Sequence, residues 1–163
     1  MRRGTYPHMA LWSNAEGGGL MIRGQAHALP EGILAMAARS LRVAILDDDP
    51  SVRTAISRLL KASGMIGDTF ATSIDLFNAM EKARPDCILV DLYMPTLDGL
   101  EVMNYLREIG IGAPVIIMTA HDDPALRDSC IKAGATAYLR KPLEAAELLD
   151  TITRSAKPPA DIN

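Results

Sequence analysis

Three aspartates in a row, Asp47-Asp48-Asp49, follow the apolar run Val43-Ala44-Ile45-Leu46 and precede Pro50. Adjacent carboxylates repel one another, and the end of a buried strand is a costly place to keep them unless a cation or a helix cap compensates. Other reactive groups close other apolar runs: Asp91 after Ile88-Leu89-Val90, Thr119 after Ile117-Met118, and Lys141 after Tyr138-Leu139-Arg140. A carboxylate can act as a nucleophile and become an acyl phosphate. A divalent cation can neutralise neighbouring carboxylates, and Mg²⁺ usually takes about one or two of them together with waters and the phosphate itself. An ammonium and a hydroxyl would complete a clamp on the oxygens of the transferred group. The chemistry that this set suits is phosphoryl transfer to or from a carboxylate.

Such residues act together only if the fold brings them to one place. Short apolar runs occur at 42–46, 87–90, 115–118 and 136–139, with a weaker one at 65–70. Helix-period stripes separate them. Val52, Ile56, Leu59 and Leu60 form one, closed by Ser63-Gly64; Ile74, Phe77 and Met80 form a second. Val102, Met103, Leu106 and Ile109 form a third, ending at Gly110; residues 126–133 end at Gly134, and residues 143–152 follow Pro142. Strand then helix, five times over, predicts an α/β fold with an open parallel sheet covered on both faces. A βα-repeat barrel needs about 250 residues, which this chain lacks. Parallel strands carry their C-terminal ends to one edge, so the two carboxylate sites, the hydroxyl and the ammonium are expected to converge there.

Residues 1–40 show no sustained period beyond a helical turn or two within 33–38. They are read as a mobile extension or as an overlong start assignment, since Met21 and Met36 each offer a later start. The patterned domain spans 41–155, and 156–163 reads as a frayed tail. The extension carries four Arg against two Glu, a net +2, which leaves −5 for residues 41–163. An acidic domain without a Lys/Arg stripe argues against sequence-independent binding to nucleic acid. Cys87 and Cys130 have no CxxC partner and read as small buried hydrophobes in a reducing compartment. No apolar stretch approaches the roughly 20 residues that span a bilayer, and no signal-peptide core follows Arg2-Arg3. A cytoplasmic location is expected.

The sequence resembles the receiver domain of two-component response regulators. The residues that carry the likeness are Val43-Ala44-Ile45-Leu46-Asp47-Asp48, Ile88-Leu89-Val90-Asp91-Leu92-Tyr93-Met94-Pro95 with Asp98-Gly99, Ile117-Met118-Thr119-Ala120, and Gly134-Ala135 with Tyr138 and Lys141-Pro142. Each motif alone is weak, and their order and spacing together are strong. The resemblance covers about residues 41–155 and implies a five-stranded parallel sheet with helices on both faces, in the flavodoxin-like strand order 2-1-3-4-5. It makes Asp91 the phosphoacceptor and Asp47 and Asp48 the acidic pair, with Asp48 the more direct ligand of Mg²⁺ or another divalent cation such as Mn²⁺. Asp91 itself and the main-chain carbonyl of Tyr93 would complete the protein's share of the metal shell. Lys141 would pair with the acceptor carboxylate or the phosphate. Thr119 and Ala120 would meet the phosphoryl group, Tyr138 would change rotamer with Thr119, and the Lys141-Pro142 bond would be cis.

The resemblance also implies a sensor histidine kinase or histidine phosphotransfer protein as donor. Only about eight residues follow the last helix, so no nucleic-acid-binding or enzymatic output is expected after it. The signal is expected to leave by protein contact through the fourth helix, fifth strand and fifth helix of the pattern, near residues 126–138 and 144–152. The chain is then a phosphoacceptor of the single-domain type and not an enzyme, assisting only its own phosphorylation and dephosphorylation.

Plainer roles account for some of these residues. Asp49 followed by Pro50 is an efficient helix start, as are Asp98 and Asp123-Pro124. His121 lies at the mouth of the expected site, where it could modulate phosphoryl lifetime. Two alternatives remain at the level of function. A haloacid-dehalogenase-type phosphatase would use Asp47 as nucleophile in its Asp-x-Asp, but it needs a later acidic pair that the chain lacks, and it leaves Asp91 unexplained. A phosphate-independent receiver-like binding module would have no need to keep every one of these positions filled.

Overall fold

The computed structural model describes residues 10–14, 17–22, 25–28, 40–121 and 123–156. The chain divides into two compact units, Met1–Arg39 and Ser40–Asn163. In the first, strands β1 (Ala10–Asn14), β2 (Gly17–Ile22) and β3 (Gln25–Ala28) pair as an antiparallel sheet in that order, Asn14 opposite Gly17 and Ile22 opposite Gln25. Sequence patterning assigns no element here. Gly17-Gly18-Gly19 interrupts any alternation, whereas a ladder of main-chain hydrogen bonds asks only for N–H and C=O groups. The helical turn expected within 33–38 and the tail beyond Ala156 lie outside the described residues.

The second unit alternates strand and helix. Its elements are β4 (Arg42–Leu46), α1 (Pro50–Ala62), β5 (Ile66–Phe70), α2 (Ser73–Met80), β6 (Cys87–Asp91), α3 (Gly99–Glu108), β7 (Val115–Thr119), α4 (Pro124–Lys132), β8 (Ala137–Arg140) and α5 (Ala145–Ser155). All pairings are parallel and the order is β5-β4-β6-β7-β8, the expected 2-1-3-4-5. Every residue of β6 and β7 is buried, as central strands covered on both faces must be. Val43, Ile45, Leu89, Ile116 and Met118 face Ile56, Leu60, Leu148 and Ile152 of α1 and α5. Ala44, Leu46, Ile88, Val90 and Ile117 face the other way, toward Leu76, Val102, Leu106 and Cys130 of α2, α3 and α4.

Local signals start the helices where the chain must turn back onto the sheet. Asp49 caps α1, its carboxylate accepting from the Ser51 N–H with Pro50 at the first position. Asp98 caps α3 in a reciprocal box with Glu101, and Asp123 caps α4 ahead of Pro124. Gly64 and Gly110 close α1 and α3 with φ of +75° and +74°, a region that L side chains avoid. The stripe expected on α2 is rotated from its sequence reading: Leu76 and Met80 are buried, and Ile74 is 67% exposed. The sheet-facing row runs Ser73, Leu76, Met80, and its serine is a residue that hydropathy does not select. Ile109, read as part of the α3 stripe, is likewise exposed.

Cys87 and Cys130 are free and buried, and burial pushes the Cys87 thiol up to about 12. Among the described residues no helix is long and apolar enough to cross a membrane.

Candidate functional site

The C-terminal ends of the central strands bring the marked residues together. Asp47 follows β4 directly, Asp91 is the last residue of β6, Thr119 is the last of β7, and Lys141 follows β8. One oxygen from each of Asp47, Asp48 and Asp91 lies within 4.8 Å of the others. Three hard oxygen donors at that spacing suit a divalent cation such as Mg²⁺ or Ca²⁺ better than a soft metal. Asp47 is completely buried, Asp91 nearly so, and Asp48 is exposed.

Lys141 holds the buried pair. Its Nζ lies 2.7 Å from Asp47 Oδ2 and 3.3 Å from Asp91 Oδ2, and the Lys141-Pro142 peptide is cis. The shorter bond goes to Asp47, and the contact with the acceptor carboxylate that the resemblance implied is the longer one. The other Asp47 oxygen accepts from the Asp49 N–H at 2.9 Å, so both carboxylate oxygens of Asp47 are engaged. Burial pushes Asp91 above the ordinary carboxylate range; the Lys141 charge pulls it back, and the Asp47 charge adds to the rise. Burial also works against the Lys141 ammonium, but the bond to Asp47 and the charges of Asp91 and Asp47 outweigh it and raise its pKa. Both members of the Asp91–Lys141 pair are therefore raised. That is consistent with one cation set among too many carboxylates.

Thr119 is fully buried, and its Oγ1 accepts from the His121 N–H at 3.1 Å, which leaves its own proton to donate. The Tyr138 hydroxyl donates to the His121 carbonyl at 2.9 Å, and the Tyr138 ring is buried against the face shared with α4. The main chain at His121 is thus held on both sides, its N–H by Thr119 and its C=O by Tyr138. The His121 ring meets Tyr93 edge-on, centroids 5.1 Å apart, and Tyr93 is half exposed. The Tyr93 main-chain amide works to lower the Asp91 pKa, a smaller effect than burial. Ala120 is exposed beside Thr119.

A family model described as the response regulator receiver domain matches residues 43–153, which takes in every one of these positions. The chain belongs to the receiver domain family. Among characterised relatives, this receiver domain is 32% identical to the response regulator protein TodT of Pseudomonas putida over 126 residues, covering 77% of this chain and 56% of TodT. It is 36% identical to the response regulator MprA of Mycobacterium bovis over 110 residues, covering 68% of this chain and 48% of MprA. The chain spans about half the length of these relatives. The solved chemotaxis protein CheY4 of Vibrio cholerae superposes with a TM-score of 0.68 at 28% identity, over 72% of this chain and 99% of that one. Receiver domains are in general non-catalytic phosphoacceptors.

Two residues of the receiver site carry little sequence signal for the contacts they make. Arg53, in the first turn of α1, donates from Nη1 to the Asp47 carbonyl at 2.7 Å and to the Asp48 carbonyl at 3.0 Å. An arginine on a helix reads as solvated surface, and only the return of α1 across the acidic turn reveals the contact. Gly99 stands in the Asp98-Gly99 motif, which does not show what it packs against. A Cβ there would stand 3.0 Å from both the Asp91 carbonyl oxygen and Leu92 Cα, so the start of α3 lies directly against the acceptor's backbone.

Proposed function

We propose that Asp91 accepts a phosphoryl group from a phosphohistidine of a sensor histidine kinase or histidine phosphotransfer protein, with Mg²⁺ or a similar divalent cation bound beside it. The observation that carries this is the meeting, at one sheet edge, of the Asp91 carboxylate with two further carboxylates within 4.8 Å and an ammonium at 3.3 Å. Asp48, Asp47, Asp91 and the Tyr93 main-chain carbonyl would hold the cation. When bound, the cation supplies positive charge to the phosphoryl oxygens and relieves repulsion among the carboxylates. An Asp91 oxygen attacks phosphorus, the P–N bond to the donor imidazole breaks, and the imidazole leaves with its electron pair. Lys141 then has an anionic phosphate oxygen to pair with, and Thr119, followed by Ala120, has a hydroxyl proton to donate.

Asp47 is a poor nucleophile in this setting. It is the more deeply buried carboxylate, and both of its oxygens are already engaged, which weighs against the phosphatase alternative. Phosphorylation would draw on Thr119 and so disturb the main chain at His121, whose carbonyl Tyr138 holds. That biases the face made by α4, β8 and α5, where a downstream protein would bind.

The test is incubation with acetyl phosphate and Mg²⁺, read by intact mass. One phosphoryl adduct is expected on the wild type, and none without Mg²⁺ or in Asp91→Asn. An adduct that survives Asp91→Asn but is lost in Asp47→Asn would transfer the role to Asp47. No adduct on a folded wild type, with no uptake of a beryllofluoride phosphate mimic, would leave a phosphate-independent binding module.

A further inference from the structure

Asp48 is exposed, so packing does not fix where its carboxylate points; only its backbone can be fixed. The acidic turn is laced by several bonds. The Asp47 N–H donates to the Phe70 carbonyl at 3.3 Å, the Asp49 N–H to Asp47 Oδ1 at 2.9 Å, and the Ser51 N–H to Asp49 Oδ1 at 2.7 Å. Among these and the two bonds from Arg53, only Arg53 reaches the Asp48 main chain. One NH₂ end of its guanidinium has two N–H groups, and here it serves two carbonyls on successive peptides. Those peptides carry the acidic pair.

We propose that Arg53 is a positioning residue for the divalent cation. By clamping the carbonyls of Asp47 and Asp48 it holds the two carboxylates in their metal-binding arrangement, so that the cation does not have to order the turn itself. This rests on the function proposed above. A guanidinium near a cation site also repels the cation, which would act on affinity with the opposite sign. The bonds run to main-chain carbonyls and leave the carboxylates themselves free of Arg53, so a fixed ligand set is expected to outweigh that repulsion.

The experiment is calorimetric titration of Mg²⁺ into the full chain as wild type, Arg53→Ala and Arg53→Gln, with Asp48→Asn as the non-binding control. Removing a partner that orients a metal ligand typically weakens affinity about 10- to 100-fold, and an increase in Kd of about tenfold is expected for both Arg53 variants. Phosphorylation by acetyl phosphate should slow at low Mg²⁺ and return to the wild-type rate at saturating Mg²⁺. A residue that merely stabilised the fold would not produce that split. An unchanged or tighter Kd overturns the proposal, as does a rate deficit that persists at saturating Mg²⁺. If circular dichroism shows Arg53→Ala to be unfolded, Arg53→Gln decides by the same criteria. A wild type that takes up no Mg²⁺ removes the proposed function itself, whereas a wild type and Arg53 variants of equal affinity remove only this inference.

Discussion

Lys141 bridges two carboxylates unequally, 2.7 Å to Asp47 and 3.3 Å to Asp91, and only 19% of its side chain is exposed. Removing one partner of a fully buried ion pair costs about 3–5 kcal/mol because a charge is left uncompensated. Water reaches Lys141, so Lys141→Ala should cost less, about 2 kcal/mol in urea unfolding without divalent cations. Saturating Mg²⁺ should recover part of that loss by replacing the missing positive charge. Asp91 gives a prediction of opposite sign. Its folded-state pKa is raised, so the folded protein holds that proton more tightly than the unfolded chain does. The resulting stability is fully present below the unfolded carboxylate value and is lost as pH rises through the raised folded value. At pH 7 with EDTA, Asp91→Asn should therefore melt a few degrees above the wild type, with the gap closing as pH falls toward 4. A variant that melts below the wild type at pH 7 would mean that Lys141 already compensates Asp91 fully.

The helices act on the site through their first turns, and α3 does so most directly. A methyl group at Gly99 would meet the Asp91 carbonyl oxygen and Leu92 Cα at 3.0 Å and Val90 Cγ1 at 3.3 Å. Two of these three neighbours are backbone atoms, which cannot rotate away, so either α3 or the end of β6 must shift. Overpacking of this kind costs about 1–3 kcal/mol. Gly99→Ala should lose that much stability in chemical denaturation and should also slow phosphorylation by acetyl phosphate, because the displaced carbonyl belongs to the acceptor. Gly112 has open space around its Cβ position, and Gly112→Ala should stay within about 0.5 kcal/mol of the wild type with its phosphorylation unchanged. Equal losses in both variants would point to the flexibility of glycine and away from the close approach.

Two core layers, one on each face of the five-stranded sheet, lie wholly within Ser40–Asn163, and the matched family region begins at residue 43. Every residue placed at the candidate site lies there as well. A fragment of residues 40–163 should thus unfold in one cooperative transition and take up a phosphoryl group at the rate of the full chain. A melting temperature lowered by several degrees, or a slower rate, would show that Met1–Arg39 supports the domain.

The α/β class, the five parallel strands and the site positions at their ends were legible because local physics encodes them. Apolar runs bounded by Gly and Pro mark strands buried on both faces, and Asp-Pro marks helix starts. Carboxylates that end an apolar run are costly enough to signal a purpose. Other features depend on contacts that side-chain pattern does not encode, some of them between residues far apart in sequence. The preference of Lys141 for Asp47 spans 94 positions and depends on the register of β8 beside β7. The rotation of α2 that buries Ser73 and exposes Ile74 is set by the sheet beneath it. The three strands of the first unit are held by main-chain ladders that leave little trace in side-chain pattern. The clasp of Arg53 on the acidic turn joins a side chain to main-chain carbonyls, which side-chain pattern does not mark. By itself the sequence determined which groups would stand at the sheet edge, because each ends a strand written in local pattern. Which group pairs with which was decided by the tertiary structure, because hydrogen bonds and ion pairs depend on distances of a few tenths of an ångström that only packing sets.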